Sequence, residues 1–215
     1  MLGIIRVLTT ENQEILQEHG NKMEEQFGIQ TITRCIENQP NGIFNDESEK
    51  LAIPKIVKLA EEMNEQYSLN AITISCAADP GLKETRKHLR LPILGAGASG
   101  AEAAVSSGNK VAVIGITENP PEAIIEKLGG HYFSYSFSPG LRKTTDLFEA
   151  AAKELLLYEA EKAIEKGADV ILFACTGFST IRLKTYLVDH IEVPIIDLVE
   201  AQATAYQPIE RKWSL

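Results

Sequence analysis

A chain of 215 residues, 44% hydrophobic and 24% charged, can bury a globular core as one large domain or as two lobes of about 100 residues each. A net charge of −9 with no cluster of Lys and Arg argues against a nucleic-acid groove or an anionic membrane surface as partner. No apolar run approaches the ~18 residues of a membrane span, the N-terminus lacks a leader-like pattern, and three cysteines suit free thiols in a cytoplasmic protein better than a disulfide framework.

In chain order, Gly3 to Thr9 reads as a first strand. Glu11 to Phe27, with Ile15, Leu16, His19 and Met23 at three-to-four spacing, reads as an amphipathic helix closed by Gly28. Ile29 to Cys35 is β-branched and reads as a strand, and residues 37–45 form a turn-rich polar loop. Asp46 or Ser48 is suited to cap a helix to Gln66, after which a strand runs to Cys76. Asp79-Pro80 predicts a helix start, with Asp as cap, ending near His88. Leu91 to Leu94 is a short strand, Gly95 to Ser107 a glycine-rich turn and helix, and Lys110 to Thr117 a strong strand. A helix opened by Asn119-Pro-Pro121 and closed by Gly129-Gly130 precedes a strand from His131 to Ser136 and a second polar loop, 137–145. A long helix from Asp146 to Lys166, a strand to Cys175, a helix through Leu187, a strand from Val193 to Ile196 and a last helix from Leu198 complete the chain.

Strands alternating with helices predict parallel sheets, and the second half retraces the first. The offsets between matching features are 107 (Thr10 to Thr117), 99 (Cys76 to Cys175) and 102 (Pro92 to Pro194). The expected fold is therefore α/β, with two pseudo-symmetric Rossmann-like lobes, parallel sheets and an active site in the cleft between them. Residues 1–96 with 197–215 would form the lobe carrying Cys76, and 97–196 the lobe carrying Cys175.

Both cysteines stand where an apolar strand gives way to a helix, the position at which open α/β sheets place ligands, so the two thiols are expected to face each other across the cleft. A helix N-terminus stabilises thiolate and is expected to bring a thiol's pKa down toward neutrality. One thiolate opposite one thiol suits epimerisation at a carbon beside a carbonyl, one sulfur removing a proton and the other returning one to the opposite face. Backbone amides of Ala77, Thr176 and Gly177 are candidates to hold the developing enolate oxygen, with Thr10, Thr117 and Thr176 as further substrate contacts. Cys35 reads as core. His19, His88, His131 and His190 show no metal-ligand spacing and read as surface or packing residues.

Ser75-Cys-Ala-Ala-Asp-Pro-Gly-Leu82 and Ala174-Cys-Thr-Gly177, with the paired Pro-Ile signatures, resemble the aspartate/glutamate/hydantoin racemase superfamily over essentially the whole chain. The resemblance implies cofactor-independent racemisation by Cys76 and Cys175 on a small-molecule substrate, in a homo-oligomer. Asp-Pro-Gly after the first cysteine is similar to hydantoin and allantoin racemases. Amino-acid racemases of the superfamily carry Asn-Thr where this chain has Ala77-Ala78, and an aspartate or glutamate racemase is the alternative. The chain departs from hydantoin racemases at Thr9-Thr10-Glu11-Asn12, where they show Asn-Pro-Asn-Thr.

Two other classes compete. Gly95-Ala-Gly-Ala-Ser-Gly100 matches the dinucleotide fingerprint of an NAD-binding oxidoreductase, with Glu118 as the ribose partner, although its strand and helix are short. A two-lobed ligand-binding protein would share the architecture without the chemistry. Loops 37–45 and 137–145 are candidate lids.

Overall fold

The computed structural model describes residues 1–213. Strands β1 (Leu2–Arg6), β2 (Thr31–Cys35), β3 (Ala71–Ser75) and β4 (Ile93–Gly95) form a parallel sheet in the order β2-β1-β3-β4. Strands β5 (Val111–Gly115), β6 (Tyr132–Phe137), β7 (Val170–Phe173) and β8 (Ile195–Ile196) form another, in the matching order β6-β5-β7-β8. The central strands LGIIR, AITIS, VAVIG and VILF are buried along their whole length, as continuous apolar runs between helical layers must be. The matched prolines do the same work in each sheet. The Pro92 carbonyl accepts from Ile72 N at 3.0 Å, and the Pro194 carbonyl from Ile171 N at 2.9 Å.

Helices α1 (Gln13–Phe27), α2 (Asp46–Gln66) and α3 (Leu82–His88) belong to the first half of the chain, with α4 (Ala96–Val105) at its end. Helices α5 (Glu122–Leu128), α6 (Ala152–Glu165), α7 (Gly177–Thr180), α8 (Leu183–Leu187) and α9 (Leu198–Trp213) follow. The last helix of each half crosses over. Ala101 and Ala104 of α4 pack with Val111, Val113, Val170 and Leu172 of the second sheet, whereas Val199, Ala203 and Tyr206 of α9 pack with Leu2, Ile4 and Ala71 of the first. Among the described residues no helix is long and apolar enough to cross a membrane.

Several boundaries differ from expectation for identifiable reasons. The cap of α2 is Asn45, whose side chain accepts from Ser48 N at 2.8 Å while Ser48 Oγ accepts from Asn45 N at 3.0 Å; Asp46 and Ser48 lie inside the helix. The helix expected from Asp146 starts at Ala152, because Asp146 accepts from Arg142 N and Lys143 N and closes a 3₁₀ turn over Thr144–Phe148. The helix after Cys175 is broken at Arg182, which adopts a left-handed φ of 54° between α7 and α8. Asp79 does not cap α3. It too is left-handed, at φ 51°, and its carboxylate reaches Gly97 N (2.8 Å) and Ala98 N (2.7 Å) at the start of α4.

Candidate active site

The C-terminal ends of β1, β3, β5 and β7 open onto one cavity of about 1150 Å³. Cys76 and Cys175 both line it, each in the first residues after its strand. Cys76 is half-buried and Cys175 is 9% exposed. The thiols sense one another, since negative charge on Cys175 raises the pKa of Cys76.

The electrostatics reverse one expectation. Burial outweighs the helix-start amides, so both thiols are pushed up, Cys76 to about 12 and Cys175 to about 11. Amides do reach the sulfurs, that of Ala78 at Cys76 and those of Gly177 and Phe178 at Cys175, and each holds the pKa below what burial alone would impose. The Gly177 amide, expected to hold substrate oxygen, is thus directed at the Cys175 sulfur. Thr144 also hydrogen-bonds Cys175.

Of the other residues singled out from sequence, Ala77, Thr117, Thr176 and Gly177 line the cavity. Thr117 is committed to its own turn, donating to the Asn119 carbonyl at 2.7 Å while its carbonyl accepts from Tyr135 OH at 2.6 Å. Thr10 is not brought to the cavity. Strand β1 ends at Arg6, three residues earlier than expected, so Arg6, Val7 and Leu8 form the floor, and the Thr10 hydroxyl accepts from Asn12 N at 3.2 Å ahead of α1. Cys35 is half-buried at the end of β2 rather than enclosed in the core, its thiol 3.8 Å from the Thr10 carbonyl.

The sequence reading missed two residues. Arg6 is 4% exposed, lines the cavity floor, and lies in register between Cys35 and Ser75. The signal was a single charge in an otherwise apolar strand. His19 is fully buried between the two cysteine loops. Nε2 lies 3.1 Å from the Thr176 carbonyl, an obligate acceptor, so it carries the proton and Nδ1 accepts from Ser75 Oγ at 2.9 Å. Ser75 Oγ in turn receives Gln202 Nε2 at 3.3 Å, and Gln202 Oε1 receives Thr73 Oγ1 at 2.8 Å. Burial holds the imidazole pKa well below its ordinary value, so the ring is neutral. Its signal was a histidine on the apolar face of α1, in phase with Leu16 and Met23.

The glycine run Gly95–Gly100 is not a phosphate loop. It enters α4 directly, and the amides a pyrophosphate would need are held by the Asp79 carboxylate. Gly95 and Gly97 are required because a Cβ there would collide with the Asp79 carboxylate and the Ala77 carbonyl, respectively. Burial raises Asp79 to about 6, against the two amides and Arg86 that pull it down.

Loops 37–45 and 137–145 both contribute to the lining and approach each other. A Cβ on Gly42 would lie 3.2 Å from Thr144 Oγ1. The first loop is pinned by the buried Gln39 amide, which donates to the Gly42 and Ser48 carbonyls, and the second by an ion pair between Arg142 and Glu118. Both signs of charge line the cavity, with Asp46, Glu49, Glu118 and Glu122 accompanied by Lys83, Lys127 and Arg142. Burial and the neighbouring Asp46 and Glu122 raise Glu49 above the ordinary carboxylate value.

Comparison with known proteins gives a consistent picture. The model of a family described as Asp/Glu/Hydantoin racemase matches residues 8–206. A hydantoin racemase of Rhizobium meliloti is 31% identical over 176 residues, covering 75% of this chain and 68% of that protein. A hydantoin racemase of Pseudomonas sp. (strain NS671) is 25% identical over 191 residues, covering 86% and 75%. Among solved structures, allantoin racemase from Klebsiella pneumoniae superposes with a TM-score of 0.81 at 18% identity, covering 99% of this chain and 88% of that one.

Proposed function

Because the chain belongs to the Asp/Glu/hydantoin racemase family, and is a racemase on that ground, we propose that it inverts C5 of a 5-substituted hydantoin or related cyclic ureide with Cys76 and Cys175 as its two bases. The observation carrying this reading is that two thiols, one from each matched half, line the same cavity.

In the forward direction one sulfur, as thiolate, takes the C5 proton, and the C–H electron pair moves into the ring as an enolate with charge on the carbonyl oxygen. The opposite thiol then donates its proton to the other face of C5, and the pair returns to carbon. The sulfurs have exchanged states, so the reverse reaction needs no reset. The step asks for no cofactor: the electron pair leaves C5 and comes back to it.

Both thiols are mostly protonated at neutral pH, so the reactive form is a minor one. Its thiolate is held by the amides of Gly177 and Phe178 or of Ala78. Substrate class is proposed from kinship, the relatives and the solved structure reported above being hydantoin and allantoin racemases. The alternative, an amino-acid racemase, rests on the family's breadth.

The test is to incubate single enantiomers of several 5-substituted hydantoins, allantoin, aspartate and glutamate in D2O, following optical rotation and deuterium uptake together. The reading expects loss of rotation with deuterium at C5 for a cyclic ureide. Turnover of the free amino acids alone would replace it.

A further inference from the structure

We propose that His19 is a positioning residue for Cys175: an imidazole held in one tautomer by a directional chain of side chains, which fixes and polarises the Thr176–Gly177 peptide on which the Cys175 sulfur rests. The proposal rests on the two-thiol reading above and adds to it a residue that never meets substrate.

The chain has a fixed direction because obligate acceptors stand at both ends. Gln202 Nε2 donates to the Leu198 carbonyl at 3.1 Å, so Oε1 is the atom that accepts from Thr73 Oγ1 at 2.8 Å. The second Nε2 hydrogen goes to Ser75 Oγ at 3.3 Å, which leaves the Ser75 hydroxyl proton for His19 Nδ1 at 2.9 Å. His19 Nε2 therefore carries the ring proton. It faces three oxygens, the Thr176 carbonyl at 3.1 Å, Thr180 Oγ1 at 3.3 Å and Glu18 Oε2 at 3.7 Å, and the carbonyl is the nearest. Thr73, Ser75, His19 and Gln202 are all buried, and in such surroundings successive hydrogen bonds polarise one another.

The peptide that His19 holds by its oxygen presents its nitrogen end to the sulfur. That nitrogen belongs to Gly177, and a Cβ on Gly177 would lie 3.3 Å from Cys175 Sγ, so the residue packs directly on the thiol. Its amide reaches the same sulfur. A hydrogen bond accepted at a peptide oxygen draws electron density from the nitrogen and strengthens the N–H as a donor. His19 thus acts on Cys175 through one peptide unit, and it acts as a dipole, since the ring is uncharged. The peptide whose amide reaches Cys76, Ala77–Ala78, has its carbonyl against Gly97 instead. His19 stands behind the cavity wall rather than in it, so its effect on the reaction is indirect.

The test reads thiolate without substrate, so its failure is separate from failure of the racemase reading. Rates of modification by iodoacetamide are measured at each thiol by peptide mass spectrometry between pH 7 and 9. His19→Leu, which lacks the donor, should slow Cys175 by about threefold or more at every pH while Cys76 stays within about twofold. His19→Gln, which can donate to the Thr176 carbonyl, should keep Cys175 within about twofold of the unaltered protein. Loss of a purely structural residue would loosen both loops and speed modification of both thiols, which is the opposite sign. An unchanged or faster Cys175 in His19→Leu, an equal slowing of both thiols, or the same slowing in His19→Gln would overturn the proposal. If His19→Leu does not fold, the imidazole 15N NMR spectrum of the unaltered protein decides: a neutral ring protonated at Nε2 is expected at pH 7, and an Nδ1–H or doubly protonated ring would overturn the proposal.

Discussion

The Thr176 hydroxyl donates to the Ser75 carbonyl at 3.1 Å, tying the residue after one cysteine to the residue before the other. With His19 bridging the same two loops, the separation of the thiols is set by hydrogen bonds across the interface rather than by loop packing alone. Thr176→Val should therefore lower kcat by about tenfold with KM within about twofold, since misplacement of reacting groups costs rate more than binding. Thr176→Ser should retain near-parent kcat. Steady-state kinetics on the preferred substrate separates the two outcomes, and equal losses in both variants would count against a positioning role.

The neutral, buried His19 makes stability depend on pH. Its folded pKa lies well below the ordinary 6.5, so the unfolded chain binds a proton that the folded one does not. Stability is fully present above about pH 6.5 and declines as pH falls, by about 1.4 kcal/mol per unit while the ring stays neutral. Between pH 7 and 5 the raised carboxyls of Asp79 and Glu49 act in the opposite sense, so the test is the difference between proteins: denaturant melts should show the parent losing more stability toward pH 5 than His19→Gln does.

Raised thiol pKa values fix the sign of the rate profile. Below about 11 for Cys175 and about 12 for Cys76, each unit of pH raises thiolate about tenfold. Accordingly kcat/KM should climb about tenfold per unit between pH 6 and 8. A flat profile there would mean that the base is already ionised at neutrality.

Gly97 faces the Ala77 carbonyl, beside Cys76, whereas the space around Gly130 is open. Gly97→Ala should destabilise by about 1–3 kcal/mol through displacement of the Cys76 loop. Gly130→Ala should change stability by less than about 0.5 kcal/mol. Urea denaturation of the two variants measures the difference.

The fold was legible because each half repeats one grammar: a buried strand, a helix, and a cysteine where the third strand ends. Leu91-Pro-Ile-Leu94 and Val193-Pro-Ile-Ile196 marked the fourth strands although only Ile93–Gly95 and Ile195–Ile196 form ladders. What stayed hidden are relations between residues far apart in the chain. Asp79 looked like the cap of the helix that follows it, yet its carboxylate serves α4, whose first turn begins 17 residues later at Ala96. The glycine run imitated a nucleotide fingerprint because close packing against Asp79 and Ala77 demands the same residue that phosphate approach does. His19 and Arg6 were visible only as polar interruptions of apolar faces; the partners of His19, Ser75 and Thr176, lie more than 50 residues away, and those of Arg6 are backbone carbonyls, at Ile15 and Leu16, that no residue type announces. Local helix-start fields suggested acidic thiols; the depth of the cleft, a tertiary property, decided otherwise.

Two-base transfer between Cys76 and Cys175 is most directly tested by the single variants Cys76→Ser and Cys175→Ser, assayed with each pure enantiomer of the preferred substrate in D2O. Loss of either sulfur should cut racemisation by about 10²–10⁴-fold, with each variant exchanging C5 hydrogen of opposite enantiomers without inverting them. Racemisation at the parent rate in either variant would contradict the account.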